Sequence, residues 1–331
     1  MRAVTIVDGG LVWADRPDPE PGTGEITIAV RAAGINGADL LQRRGLYPAP
    51  AGSPPDIPGL EAAGEVVALG PGANRFALGD RVMAVVGGGG QAERLVVHER
   101  GAMPVPEGMP WEEAGGLPEV FTTAHDALFT QAGLAMGERV CIHGAAGGVG
   151  TAAVQLALAA GASVVATVRN PELRQAVRAL DGSAPGGGAR PTAGDMPLLQ
   201  VVEPEGFGEH GPFDVILELV GGPNLDADVK ALATDGRVTV IGVGAGAKGE
   251  VNLLALMGVR GHIMASTLRA RPLEGKADAA RAVERHVLPG FRAGALHVPV
   301  AASYVLADAE SAYERFAAGG KFGKVVLTND V

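Results

Sequence analysis

Two periodicities divide the chain. Through the first third, short runs rich in Val, Ile and Ala recur at 2–7, 25–33, 61–69, 81–86 and 93–97, bounded by PDPEPGTGE, GPGANRFALGD and GGGG. Apolar runs of this length, separated by Gly, Pro and Asp clusters, predict strands of an antiparallel, barrel-like domain. Near Glu112 the period changes: a helical stretch, EEAGGLPEVFTTAHDALF, precedes apolar strands that alternate with helices. The strands are RVCIHG, SVVATV, FDVILELV, GRVTVIGV and VRGHIMAS; helices are expected over 148–160 and at PELRQAVRAL, opened by Pro171. Such alternation predicts parallel βαβ units and a doubly wound sheet. After Arg271 an amphipathic helix, LEGKADAARAVERHVLPGF, leads back to strands at HVPVAASYVL and KVVLTN.

The expected architecture is therefore α/β, with a β-rich domain built from 1–117 and 272–331 and a doubly wound domain, 118–271, inserted in it. The Gly/Pro-rich stretch 181–197 interrupts the alternation, and a loop is expected there, with at most a vestigial strand near 198–202. Met136 and its apolar neighbours read most simply as core.

Composition narrows the class. At 331 residues there is length for two cores, and 47% hydrophobic against 19% charged residues is the balance of a globular chain. The formal charge of −10 repels phosphate backbones, so nucleic acid is not an expected partner. The single cysteine, Cys141, excludes an internal disulfide and a Cys-rich zinc site. The start MRAVTIVDGG does not read as a signal peptide, and no run approaches the ~20 apolar residues of a membrane helix. A cytoplasmic protein is expected.

One motif carries chemistry by itself. The strand RVCIHG runs into Gly144-Ala145-Ala146-Gly147-Gly148-Val149-Gly150 and then an Ala/Leu-rich helix. A dinucleotide pyrophosphate needs bare amides at the positive end of a helix, and glycine lets the backbone approach closely. The strand before, the helix after and a second strand at 163–168 complete the unit, whereas a glycine turn alone would be common structural furniture. Where NAD-binding units carry an acid at the end of that second strand, this chain has Thr167-Val168-Arg169-Asn170. A guanidinium can pair with a 2′-phosphate, so NADPH is the expected cofactor.

Longer motifs point to a family. Gly34-Ile-Asn36-Gly-Ala-Asp39-Leu-Leu-Gln-Arg-Arg-Gly45-Leu-Tyr47-Pro48, Gly59-Leu-Glu61-Ala-Ala-Gly64, Gly79-Asp80-Arg81-Val82, Pro118-Glu119-Val-Phe-Thr-Thr123-Ala124 and Gly323-Lys324-Val-Val-Leu327 follow one another across nearly the whole chain. In this order they resemble the zinc-free quinone oxidoreductase branch (zeta-crystallin-like) of the medium-chain dehydrogenase/reductase superfamily. The resemblance implies a GroES-like catalytic domain plus a Rossmann domain, and NADPH-driven reduction of a conjugated acceptor such as a quinone or an enone. It implies that Asn36 and Tyr47 lie near the nicotinamide ribose and substrate and Thr123 near the nicotinamide. It also implies that Gly221, Gly222, Gly242, Val243 and Ser266 border the cofactor.

Zinc-dependent members carry a Cys ligand where this chain has Gly37-Ala38-Asp39, and a His where it has Leu60, so no catalytic metal is expected. Without a Lewis acid, hydride addition to a conjugated carbon is the accessible chemistry. Tyr47 then serves either as hydrogen-bond donor to the developing oxyanion or as an aromatic lid. His125, on an apolar helix face, and His143, beside the glycine turn, read as structural. An enoyl-thioester reductase and a low-turnover NADPH-binding sensor or structural protein remain the alternative readings. VRGHIMAS, as the last strand of the parallel sheet, is an apolar edge that suits a homodimer.

Overall fold

The computed structural model describes residues 1–182 and 198–329, which form two compact units. The first comprises Met1–Thr122, Leu268–Gly319 and the chain from Lys324; the second comprises Thr123–Thr267 and Gly320–Gly323. The crossings fall a few residues from the expected 117/118 and 271/272. Gly320–Gly323 join the second unit because Gly323 N donates to Ala146 O (2.9 Å) and Gly323 bridges Gly147.

The strands, in chain order, are β1 (Arg2–Val7), β2 (Gly10–Asp15), β3 (Glu25–Ile35), β4 (Glu61–Leu69), β5 (Arg81–Val85), β6 (Arg94–His98), β7 (Ala102–Pro104), β8 (Arg139–Ile142), β9 (Ser163–Thr167), β10 (Leu199–Val202), β11 (Phe213–Glu218), β12 (Leu232–Val240), β13 (His262–Ala265), β14 (Val300–Val305) and β15 (Lys324–Thr328).

In the first unit β1 and β2 form an antiparallel pair, and a seven-stranded mixed sheet runs β14-β15-β3-β4-β5-β7 with β6 on β3. The long β3 pairs β6 through Glu25–Ala29 and β15 through Ala32–Ile35, so its two halves serve different neighbours. Ile26, Ile28, Val30, Val66, Val82, Ala84 and Leu95 close the core of this sheet. Burial of each Val or Ile side chain contributes about 1.5–3 kcal/mol.

The second unit is a six-stranded parallel sheet ordered β10-β9-β8-β11-β12-β13. Chain order reverses about β8: β9 and β10 lie on one side, β11 to β13 on the other. Loops leaving the carboxyl ends at such a reversal diverge and open a binding crevice.

Three expectations change, and a fourth falls almost wholly outside the described residues. Leu199–Val202 is a regular parallel strand on β9, not a vestige; the apolar pair Leu199 and Val201 faces inward and secures its register. The loop expected at 181–197 lies, from 183 to 197, outside the described residues. The helical stretch after Glu112 is broken at Pro118 into Trp111–Gly116 and Pro118–His125 and passes into a π-helical turn, Asp126–Gln131. Met136 is not core: it sits in a turn and is 84% exposed. Among the described residues no helix is long and apolar enough to cross a membrane.

Candidate cofactor and active site

In the second unit, β8 ends at Ile142 and the backbone turns at Gly144, whose φ of +66° is a conformation L side chains rarely adopt. Gly147 N closes the turn on Gly144 O (3.0 Å), and the helix Gly148–Ala159 begins. A Cβ on Gly150 would lie 2.5 Å from Gly144 O and 2.6 Å from Ala145 Cα, so only glycine lets the helix seat on the turn. Gly147, Gly148 and Val149 are half-buried. The first amides of a helix have no partner within it and sit at its positive end, so these residues can hold a pyrophosphate.

Several other sequence-predicted cofactor residues follow the carboxyl ends of strands of this sheet. Arg169 follows β9; it is exposed and makes no hydrogen bond among the described residues. Thr167, by contrast, is buried, and its hydroxyl bonds His143 Nδ1 (3.1 Å) rather than facing out. Gly221 and Gly222 follow β11 and Gly242 and Val243 follow β12; a Cβ on Gly222 would meet Lys248 O at 2.2 Å, and one on Gly242 would meet Leu219 O at 2.2 Å. Ser266, after β13, accepts a hydrogen bond from Gln131 Nε2 (2.5 Å). Thr123 is buried in the helix Pro118–His125.

Sequence reasoning missed three residues here. Arg174 bonds Val168 O (3.1 Å) and pairs with Glu203 (2.8 Å), placing a second guanidinium at the end of β9. Glu218, closing β11, accepts from the amides of Val220 and Gly221 and from Asn224 Nδ2 (2.9 Å), and so shapes the glycine loop. Burial raises its pKa. Asp228 partners His143: its Oδ1 lies 2.9 Å from Nε2. No motif flagged these residues: Asp228 acts through His143, 85 residues away in the chain, and Arg174 and Glu218 act largely through backbone groups, which carry no residue signature.

His143, Glu218 and Asp228 are buried with one ligand atom each within 4.8 Å of the others, a group close enough to hold a cation. The first call on those atoms is internal, since His143 Nε2 bonds Asp228 and both Glu218 oxygens accept hydrogen bonds. Burial opposes a charge on His143, but the Cys141 sulfur and Asp228 outweigh it and push its pKa up to about 11. The Cys141 thiol is itself pushed up by burial, so Asp228 is the partner that counts at neutral pH.

In the first unit, Asn36 starts the helix Gly37–Arg43, and its backbone amide donates to Asp39 Oδ2 (2.8 Å). Both ends of its side-chain amide are held: Nδ2 donates to Glu61 Oε1 (2.9 Å), and Oδ1 accepts from Lys324 Nζ (2.8 Å). Lys324 also donates to Ile35 O (2.9 Å) and Glu61 Oε1 (2.7 Å), and Glu119 N donates to Glu61 Oε2 (2.7 Å). Glu61 and Lys324 are both buried. A Cβ on Gly34 would fall 2.2 Å from Glu61 Oε1, which explains a glycine inside β3.

Asp39 is fully buried, with Oδ1 accepting from Gly59 N (3.0 Å); burial raises its pKa to about 6 against those hydrogen bonds. Tyr47 lies half-buried in the irregular segment after this helix, and its hydroxyl has no partner among the described residues. The run 87–90, which reads as a surface turn, is buried: a Cβ on Gly87 would meet Ser53 Oγ at 2.2 Å, and one on Gly90 would meet Glu61 O at 2.7 Å.

Comparison with known proteins agrees with this pattern. Residues 22–107 match the alcohol dehydrogenase GroES-like domain, and 200–327 match the zinc-binding dehydrogenase domain. Erythronolide synthase EryA2 of Saccharopolyspora erythraea is 36% identical over 92% of this chain, which spans only 8% of that protein. Prostaglandin reductase-3 of Bos taurus is 34% identical, covering 86% of this chain and 71% of its own. Human quinone oxidoreductase is 29% identical over 99% of this chain and 97% of its own. Mycobacterial Rv1454c, solved with NADPH, superposes with a TM-score of 0.83 at 26% identity, covering 99% and 100% of the two chains. The chain belongs to the medium-chain dehydrogenase/reductase superfamily, with a GroES-like unit and a parallel-sheet Rossmann unit. Members of that superfamily bind NAD(P) and small-molecule substrates.

Proposed function

We propose that the chain is an NADPH-dependent reductase of quinones or other conjugated carbonyl acceptors that works without zinc. The observation that carries this reading is the glycine phosphate turn beside an exposed, unpartnered Arg169 where an acid would select NAD. Gly148 and Val149 hold the pyrophosphate through their amides, Gly147 gives it close approach to the backbone, and Arg169, with Arg174 also at the end of β9, receives the 2′-phosphate. NADPH, once bound, supplies the hydride. Asn36, fixed at both amide ends, offers its remaining N–H without reorganising, and Tyr47 offers a hydroxyl not engaged elsewhere. Donors held in place before the reaction stabilise charge that develops on the acceptor oxygen.

An NADPH-oxidation screen across quinones, enones and enoyl thioesters tests the reaction; no turnover of any acceptor would overturn it. The similarity to EryA2 favours a second reading, an enoyl-thioester reductase, which preferential turnover of an enoyl thioester would establish. Arg169→Ala should weaken NADPH binding by roughly 1.5–3 kcal/mol and leave NADH nearly unchanged, and equal losses would refute the 2′-phosphate role. Tyr47→Phe should lower kcat for an enone about tenfold to a thousandfold if the hydroxyl donates. If only Tyr47→Ala impairs turnover, the ring is a lid.

Zinc independence is supported by Leu60 and the 37–39 stretch, and one tightly held zinc per chain in metal analysis would contradict it. Edge strand β13 and the exposed Leu253, Leu254, Met257 and Ile263 support a homodimer, for which light scattering at micromolar concentration is the test. A reducing, cytoplasmic setting suits the single buried thiol of Cys141.

A further inference from the structure

Arg269 is 2% exposed, an unusual place for a guanidinium. Three of its donors end on three separate segments of the first unit. Nε donates to Gly87 O (2.7 Å), Nη1 to Tyr47 O (2.8 Å) and Nη2 to Gln42 Oε1 (2.5 Å). Its Cζ lies 4.9 Å from the centroid of the Tyr47 ring, so one side chain grips both the backbone and the aromatic face of the same residue. Gln42 in turn donates to Pro55 O (3.1 Å), and Gly87 packs against Ser53 and Pro50. The stretch 44–60 contains neither helix nor strand, so these contacts replace the ladder that would otherwise fix it.

We infer that Arg269 is a positioning residue for the reduction, setting where Tyr47 stands and how its ring is turned. The inference rests on the proposed role of Tyr47. Burying a guanidinium is costly unless its donors are satisfied, and a flexible hydrophobic contact would hold a loop at lower cost. What the guanidinium adds is geometry. Its planar fork fixes three acceptors at set angles while its face packs on the ring. A lysine presents a single ammonium and cannot span Gly87, Tyr47 and Gln42 together. Displacement of an acceptor-contacting group by an ångström is enough to cost on the order of a hundredfold in rate.

The test uses the full chain with NADPH, trans-2-hexenal and 1,4-naphthoquinone, with Arg269→Met, Arg269→Lys and Tyr47→Ala made singly and Arg269→Met combined with Tyr47→Ala. Arg269→Met should lower kcat/KM for the acceptor at least about tenfold while NADPH affinity is retained, and Arg269→Lys should not rescue it. In the Tyr47→Ala background the same substitution should change the rate by less than about twofold, because the residue it positions is gone. Hydrogen exchange of 46–50 should speed up in Arg269→Met. Should that variant fold poorly, Gln42→Met leaves Arg269 in place, removes one acceptor and should act in the same direction.

Multiplicative losses in the double variant, or unchanged exchange at 46–50, would overturn the inference. If Tyr47→Ala itself leaves turnover intact, the role of Tyr47 fails, and exchange alone then decides whether Arg269 clamps the loop.

Discussion

Each unit buries an ionic centre, and the two are built differently. In the first unit, Lys324 and Glu61 are held on every polar atom by Asn36, the Ile35 carbonyl, the Glu119 amide and each other, and Asn36 is held at both ends of its amide with one N–H left over. In the second, His143 and Asp228 pair directly, but Asp228 Oδ2 is buried with no hydrogen-bond partner among the described residues. The closed centre holds a side chain proposed to meet the reacting molecules. The open one joins the phosphate turn through His143, which precedes Gly144, and through Thr167, whose carbonyl accepts from Ala145 N (3.2 Å). A closely satisfied network fixes one geometry, while a partly satisfied one leaves a buried polar atom without compensation. Rigidity is therefore concentrated where Asn36 must point one way.

Breaking the closed centre should have the largest effect. Lys324→Met strands the Glu61 carboxylate in the core and should cost about 3–5 kcal/mol in urea unfolding. Adding Glu61→Gln removes the stranded charge and should recover a large part of that loss. A single-variant cost below about 1 kcal/mol would show that Glu61 finds another partner or is not charged.

Asp39, beside that centre, gives a pH signature. Its folded pKa of about 6 lies above the ordinary 3.8, so the folded state binds the proton more tightly. The penalty of ionising it is absent below about pH 4 and complete above about pH 6. Relative to Asp39→Asn, the wild type should therefore lose about 3 kcal/mol of stability as pH rises from 4 to 7. An unchanged difference, or a wild type that gains stability relative to Asp39→Asn as pH rises, would contradict the burial of a carboxyl there.

The open centre should respond with the opposite charge and a smaller cost. Asp228→Asn removes the partner of the imidazolium and should cost about 1.5–3 kcal/mol near neutral pH. With its folded pKa raised from 6.5 to about 11, His143 contributes fully below pH 6.5 and loses that contribution as pH rises toward 11. The gap between wild type and Asp228→Asn should accordingly narrow from pH 7 to pH 10 in thermal unfolding. A constant gap would mean that His143 is neutral throughout. The smallest effect belongs to Thr167→Val, which removes one neutral bond to His143 Nδ1 and should cost about 0.5–1.5 kcal/mol. A much larger loss would point to a role beyond that bond.

What was legible beforehand was local. The alternation of apolar runs predicts β1, β4 and the parallel strands other than β10, because period and turn chemistry act within a few residues. The glycine turn is legible because only its own residues must adopt that shape. Arg169 is legible because its position after β9 is counted along one βαβ unit.

The structure alone decided which polar residues are buried and with whom. Arg269 lies 222 residues from Tyr47 and Lys324 lies 263 from Glu61, distances over which no sequence period survives. In the sequence Lys324 is one residue of the closing motif with no partner marked, Arg269 carries no signal at all, the run 87–90 reads as a turn and Met136 as core. A charged side chain is at home in water by default. Only a folded interior that supplies every one of its partners makes burial tolerable, and those partners are brought together by topology rather than by sequence spacing.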